Sequence, residues 1–461
     1  MLNITIKKLI EITGGTVLSG DIGKYGEYHI CRISYDSRDT DRDTLFVPLI
    51  GEKVDSHKFI HQVFAGDGVV SLSQQDILLS DSNKILIRVN DTVNAVKIIA
   101  EYCRNKIHIP VIGITGSVGK TSTREMIAAA LSSSRSVFAT PGNKNSQLGT
   151  PVTLCGFDDN AEVAVLEMGI SLPGEMSRLS EMVRPDIAVF TNIGITHIEN
   201  LGSREGILSE KMHILDHMCP GSAVFINDDN DMLHNAAFPE ELHVFRYALN
   251  HNCDAYAEDI SESDGHISFT AVINGKKVPV ILGIPGRHHI YNALAALAVC
   301  DYYGLDIVLA ADKLKSFKGY SHRGQIFHNK GITIIDDTYN AAPDSMKAAI
   351  DILSSMSCKG RRIAVLADMK ELGSNEVEEH KSVGRYIADK GNIDLLLTYG
   401  PLAENMSDGT GISDFINFST SDQLEKELYK ILKQGDAVLF KGSNSMGLFN
   451  MVEKVMNHEF C

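Results

Sequence analysis

Thr115-Gly116-Ser117-Val118-Gly119-Lys120-Thr121-Ser122 carries the strongest chemical signal in this sequence. Two glycines, a lysine and a hydroxyl residue between an apolar run and a helical segment suit a turn that wraps phosphates. Its backbone N–H groups and the following helix N-terminus supply positive potential. Lys120 adds a point charge for the outer phosphates, and Thr121 a hydroxyl for Mg²⁺. The general pattern G-x-x-x-x-G-K-[ST] calls for Gly at 114, where this chain has Ile114. Such a turn alone leaves kinase, GTPase and ligase chemistry open.

Three more groups stand downstream at the ends of apolar runs or on a helix: Glu167, His197 and Lys211. A carboxylate and a hydroxyl are good Mg²⁺ ligands, whereas an imidazole is a less usual one for so hard a cation. Read singly, Glu167 could cap a helix, His197 could sit in a turn and Lys211 could be a solvated helix lysine.

These groups need a scaffold. Ile109 to Ile114, Val163 to Leu166 and Ile187 to Phe190 read as buried strands ending in polar residues, as at the C-terminal edge of a parallel sheet. A helix is expected from about Thr121 to Leu131. Between Asp254 and Pro279 the alternation weakens into short strand-like pieces, with Asn274-Gly275 as a hairpin turn. Upstream, residues 1–92 read as a small mixed α/β unit. It contains an apolar run Leu45 to Ile50 closed by Gly51 and a helix His57 to Phe64. A helical pattern over Asp91 to Lys106, with Val93, Val96, Ile99, Ala100 and Cys103 on one face, leads into the middle unit, 93–318. From Gly319 to 461, strands at Ile332 to Ile335, Arg362 to Leu366, Leu395 to Tyr399 and Ala437 to Phe440 alternate with helical segments. That pattern predicts a doubly wound, Rossmann-like domain. The expected fold class is therefore α/β in three domains.

At 461 residues the chain exceeds what one core supports. Its 44% hydrophobic and 22% charged content is that of a globular protein, and no run has the length of a membrane span. The segment Met1 to Lys8 lacks the basic-then-apolar layout of a leader, so a cytoplasmic location is expected. The eight cysteines form no CxxC pair, which argues against a zinc site and suits core thiols in a reducing compartment. A net charge of −16 disfavours nucleic acid as a partner but not a small anion, which a few local donors can hold.

Taken in order, the motifs resemble the Mur ligase family over nearly the whole chain. In the middle unit the likeness rests on Thr115 to Ser122, Glu167-Met168-Gly169 with Pro173-Gly174-Glu175, Asn192-Ile193-Gly194 with His197, and Gly202-Ser203-Arg204-Glu205. Asp36-Ser37-Arg38, Phe46 to Gly51, Asp55, His57 and Phe59-Ile60 resemble the family's uridine-nucleotide domain. Thr140 to Asn145 with Leu148-Gly149 resembles its substrate loop, and Gly286-Arg287-His288 with Asn292 to Ala296 its adenine-contacting helix. Asp336 to Asn340 with Pro343, Asp368 to Gly373, and Lys441-Gly442-Ser443 match its last domain.

The resemblance implies roles. Thr115 to Ser122 would hold ATP, with Lys120 and Thr121 at the β/γ-phosphates and one Mg²⁺. Glu167 and His197 would serve a second Mg²⁺ region, and Lys211, carbamylated by CO₂, would help hold metal. Carbamylation needs a neutral amine, hence a site that depresses the lysine pKa. Asn292 would meet adenine, Arg323 phosphate and Asp337 ribose. Ser37, Arg38, Asn143, Asn145, Tyr339 and Asn340 would meet substrates. Within the family the likeness is to the branch that joins D-alanyl-D-alanine to UDP-N-acetylmuramoyl-tripeptide, in peptidoglycan precursor synthesis, as a monomer.

The chemistry expected of such a set is phosphoryl transfer to a carboxylate, then attack of an amine on the acyl phosphate. No Ser–His–Asp or Cys–His set points to a covalent enzyme intermediate. A folylpolyglutamate-synthase-like ligase would not carry Asp36-Ser37-Arg38 ahead of the phosphate turn. A P-loop kinase or GTPase would lack the Asn292 helix and the third domain. A non-catalytic ATP-binding scaffold should have lost Lys120, Glu167 or Lys211. The chain departs from the family's usual residues at Ser56, Ser146, His289, Ala342, Ala367 and Asn444. These fall mostly around substrate and in the third domain, so a diverged relative using another amine or acceptor stays open.

Overall fold

The computed structural model describes residues 2–79, 81–263, 266–408, 412 and 414–458. Its middle part is built on a nine-stranded sheet. The spatial order is Lys276–Leu282, His266–Ile273, Ala255–Ser263, His243–Ala248, Ala223–Asn227, Ile187–Phe190, Val111–Thr115, Val163–Glu167 and Val137–Ala139. From Val137–Ala139 to Ala255–Ser263 every pairing is parallel. Val111–Thr115, Val163–Glu167, Ile187–Phe190 and Ala223–Asn227 are buried at every residue, because helices cover both faces of a parallel sheet. Val111–Thr115 lies between Val163–Glu167 and Ile187–Phe190, so the chain turns to opposite sides there. That switch point opens a crevice at the strands' carboxyl ends.

Ile114 pairs with Glu167 on one side and Val189 on the other. It is an inner strand residue and fully buried, which is why glycine is not needed there. The region 254–279 departs from the expected short pieces. It forms three long antiparallel strands turning at Asn274-Gly275, both at positive φ (48° and 79°). Lys276–Leu282 is the edge strand and alternates exposed with buried after its first residue, so Pro279 is tolerated there.

The N-terminal part holds a five-stranded sheet ordered Thr16–Ser19, Ile85–Arg88, Val70–Ser73, Thr44–Phe46, Arg32–Ser34. The apolar run 45–50 is strand only as far as Phe46, and Ile50 is exposed. The expected helix over 57–64 begins as a 3₁₀ turn, Ser56–Phe59, and continues as Ile60–Ala65. Asp91 caps Thr92–Arg104 by accepting from the Asn94 N–H at 2.8 Å. That helix buries Val96, Ile99, Ala100 and Cys103 in one apolar cluster running from Leu2 and Leu45 to Leu166 and Leu179. The first sheet is thus welded to one face of the middle one.

The third part is a six-stranded sheet, ordered Gln325–Asn329, Ile332–Asp336, Ala437–Lys441, Arg362–Ala367, Leu395–Tyr399, Phe415–Phe418. The four inner strands are those the sequence predicts, while both edge strands escaped it. Of the cysteines, only Cys103, Cys155 and Cys300 are buried core thiols; Cys31, Cys253 and Cys358 are half-buried and Cys219 is exposed. Cys461 lies outside the described residues. Among the described residues no helix is long and apolar enough to cross a membrane.

Candidate active site

The turn after Val111–Thr115 is shaped by two glycines in the positive-φ region, Gly116 at 148° and Gly119 at 83°. A Cβ at Gly116 would come within 1.9 Å of Thr191 Oγ1, so only glycine fits. Asn192 holds the turn from outside. Its carbonyl accepts from the Ser117 N–H at 2.9 Å and its Oδ1 from the Val118 N–H at 2.8 Å. The helix Lys120–Leu131 then starts at the carboxyl edge of the sheet. Lys120 folds over the turn, donating to the Gly116 carbonyl at 2.8 Å and the Ser117 carbonyl at 3.3 Å. Burial pulls its amine below the usual lysine range, opposed by the nearby Glu167 carboxylate and aided by Arg323.

Glu167 ends the neighbouring strand and is buried. Its Oε2 accepts from Thr121 Oγ1 at 2.8 Å and Arg124 Nη1 at 3.2 Å, its Oε1 from Asn145 Nδ2 at 2.6 Å. The phosphate helix and the segment 140–149 therefore meet on one carboxylate. Asn143, in that segment, is exposed. Thr121 and Glu167 offer the hard oxygen donors Mg²⁺ prefers. Among the described residues no three His, Cys, Asp or Glu side chains cluster as a metal cage. That fits a cation bound through one or two protein oxygens plus phosphates and water.

Lys211 lies on Arg204–Met212 and is 1% exposed. Its neighbour Glu210 caps the helix Glu175–Val183, accepting from the Gly174 and Met176 N–H groups, each at 2.8 Å. Among the described residues the Lys211 amine has no hydrogen bond or salt bridge. Burial, reinforced by Lys120, pushes it well below the usual lysine range. His197 is held at positive φ (64°) and meets the third part. Its Nδ1 lies 2.7 Å from Glu371 Oε2, a residue of the third part, without hydrogen-bond alignment.

Other segments of the third part close on the same crevice. A Cβ at Gly194 would reach within 2.8 Å of Asp344 Oδ2, and one at Gly373 within 3.3 Å of Glu199 Cα. Arg323 stacks on Tyr339 at 3.8 Å. Asp337 is bound by Lys441 Nζ at 2.6 Å, and that amine also donates to the carbonyl of the exposed Asn340 at 2.9 Å. Asn292, buried on His289–Tyr302, accepts from Thr123 Oγ1 at 3.0 Å and contacts His289 Nδ1 at 3.1 Å, tying that helix to the phosphate helix. Far from this cluster in sequence, Arg38 is exposed and clamps Asp36 at 2.7–2.9 Å, holding its carboxyl down at about 2; Ser37 between them is half-buried. Tyr35 nonetheless links this turn to the segment 140–149 by donating to the Leu148 carbonyl at 3.2 Å.

Local partners account for several of the unusual residues. Ser56 Oγ closes onto both Leu49 N and O, Ser146 Oγ accepts from the Gly149 N–H, and Asn444 Nδ2 donates to the Tyr339 carbonyl. Ala342 cannot cap the helix Pro343–Ser355, and Ser345 Oγ instead reaches back to its N–H at 3.0 Å. Sequence reasoning missed Arg124, which is fully buried. Its one signal is a charge on the face of Lys120–Leu131 that also buries Ile127 and Leu131.

The comparisons with known proteins agree with this layout. The Mur ligase middle domain matches residues 114–300, and the Mur ligase glutamate ligase domain matches 322–444. A UDP-N-acetylmuramoyl-tripeptide–D-alanyl-D-alanine ligase of Bacillus subtilis (strain 168) is 35% identical over 463 residues, spanning 99% of both chains. The chain belongs to the Mur ligase family. It is an ATP-dependent ligase of that family, with the three-part architecture of its solved relatives. The crystal structure of MurF from Acinetobacter baumannii superposes with a TM-score of 0.87 at 28% identity, covering 99% of each chain. The MurF ligase of Thermotoga maritima, solved in complex with ADP, gives 0.80 at 28% identity over 92% of this chain and 96% of that one.

Proposed function

We propose that this Mur ligase joins D-alanyl-D-alanine to UDP-N-acetylmuramoyl-tripeptide through an acyl phosphate, at the expense of ATP, in the cytoplasm and as a monomer. The observation that carries the reading is Glu167, which bonds the phosphate helix through Thr121 and the substrate loop through Asn145. A γ-phosphate and an acceptor carboxylate delivered to those two segments would meet beside it. The names of the relatives that span the whole chain supply the substrate pair.

In this reading residues 1–92 receive the uridine nucleotide at Ser37 and Arg38, 93–318 hold ATP, and 319–461 bring the amine past Tyr339 and Asn340. The turn Thr115 to Ser122 wraps the phosphates, Lys120 neutralises charge as the acceptor carboxylate attacks, and Asn292 orients adenine. Arg323 and Asp337 reach phosphate and ribose as the third domain docks. Two anions must approach, so preorganised cations aimed at the transferring group lower the barrier most. Thr121 would hold one Mg²⁺, Glu167 and His197 would serve a second, and carbamylated Lys211 would help hold metal; Mg²⁺, when bound, neutralises phosphate charge. Asn143 and Asn145 align the acceptor, and docking of the third domain keeps water from the acyl phosphate.

Incubation with ATP and both substrates should yield one new amide-linked product by mass spectrometry, with ADP in equal amount. Product only with a different amine would move the assignment to a diverged member, and no amide product with any amine would end it. Turnover should also fall in bicarbonate-depleted buffer and recover on bicarbonate addition; indifference to bicarbonate would remove the carbamate.

A further inference from the structure

Arg124 is fully buried in the phosphate helix, and its fork has four separate attachments. Nη1 donates to Glu167 Oε2 at 3.2 Å and to the Gly142 carbonyl of the substrate loop at 2.8 Å. Nε donates to Glu125 Oε1 at 3.2 Å, and Nη2 binds the same oxygen. The Tyr320 ring, from the linker that carries Arg323, covers the guanidinium at 5.4 Å. One cation thus faces two carboxylates. The two oxygens of Glu167 are both tied to the substrate loop, Oε1 through Asn145 and Oε2 through Arg124 and Gly142. Moving the loop must therefore move the carboxylate.

We propose that Arg124 is a positioning residue that couples the substrate loop to the metal-binding carboxylate, so that acceptor and Mg²⁺–nucleotide strengthen each other's binding through it. This rests on the reading that both meet at Glu167. A planar, forked donor suits this role, because Glu167 and Gly142 are reached from Nη1 and Glu125 from Nε and Nη2, a spread that the single nitrogen of an ammonium does not have. Linkage makes the effect reciprocal.

The test is calorimetric titration of the full-length protein with MgADP, with and without saturating UDP-N-acetylmuramoyl-tripeptide. In the unsubstituted protein the acceptor should tighten MgADP roughly 10-fold, within the usual range of coupling between sites. Arg124→Gln should bring that factor to within about 2-fold of unity, with Arg124→Lys between the two. Half-saturating Mg²⁺ for ADP binding should rise in both. Should Arg124→Gln fail to fold, Tyr320→Leu and Asn145→Ala, which loosen the same junction, should each lower the coupling. Coupling that persists in a folded Arg124→Gln, or in both outer variants, overturns the proposal, as does an unsubstituted protein that binds both ligands independently. An unsubstituted protein that binds neither MgADP nor the acceptor would instead sink the functional reading itself.

Discussion

The phosphate turn and the Asp36-Ser37-Arg38 turn both follow strands, yet they are built in opposite ways. Around the first, Arg124, Glu167 and Lys211 are at most 2% exposed, and Glu167 is held by three donors. In the second, the Arg38 side chain is 82% exposed and, among the described residues, its only ionic partner is Asp36, two residues away. A group that must act on developing charge gains from a dry, fixed setting, where its field is strong and no reorganisation is needed. A group that greets a large hydrated substrate can stay in water until the substrate arrives. Substitutions should divide accordingly, with the inner site governing kcat and the outer turn governing KM.

The widest gap should come from Lys120→Met. Steady-state kinetics should show kcat down by roughly 10³-fold or more, with the fold intact by circular dichroism. Lys211→Met sharpens the contrast further, because it should abolish turnover while raising the thermal midpoint measured in bicarbonate-depleted, metal-free buffer, where the lysine is a free amine. A buried amine without a hydrogen bond or salt bridge costs stability that a methionine of similar shape does not. A fall in the midpoint would mean that Lys211 holds the fold rather than the chemistry. Asn145→Ala should lower kcat by about 10²-fold, the scale of losing one preorganised donor. At the outer turn, Arg38→Ala should raise KM for the UDP-linked acceptor by roughly 10-fold with kcat within a factor of two, as uniform binding loss does. A kcat defect there as large as that of Asn145→Ala would erase the distinction. Ser56→Gly, which opens the two bonds to Leu49, should cost only about 1 kcal/mol of stability in urea titration.

The same division explains what the sequence discloses. The phosphate turn is legible because its strand, glycines, lysine and helix are contiguous and each obeys a local rule. Inner strands such as Ile187–Phe190 and Ala437–Lys441 are legible because burial on both faces leaves an unbroken apolar run. Edge strands such as Gln325–Asn329 and Phe415–Phe418 have mixed exposure and pass for loop. Arg124 could not be placed because its meaning lies in partners 18 and 43 residues away, Gly142 and Glu167. The contact between His197 and Glu371 is likewise a tertiary fact: no local pattern says that the third part packs onto that turn. Lys211 looks like any helix lysine until burial and the diversion of Glu210 to a helix cap leave its amine alone.

The central claim is that the acceptor carboxylate is activated as an acyl phosphate before the amine arrives, and isotope transfer tests it most directly. UDP-N-acetylmuramoyl-tripeptide labelled with ¹⁸O in its reacting carboxylate would be turned over with ATP and D-alanyl-D-alanine, and the released phosphate weighed by mass spectrometry. Attack of the carboxylate on the γ-phosphate, followed by departure of phosphate from the acyl carbon, places one labelled oxygen in each phosphate released. Unlabelled phosphate accompanying amide formation would contradict the account.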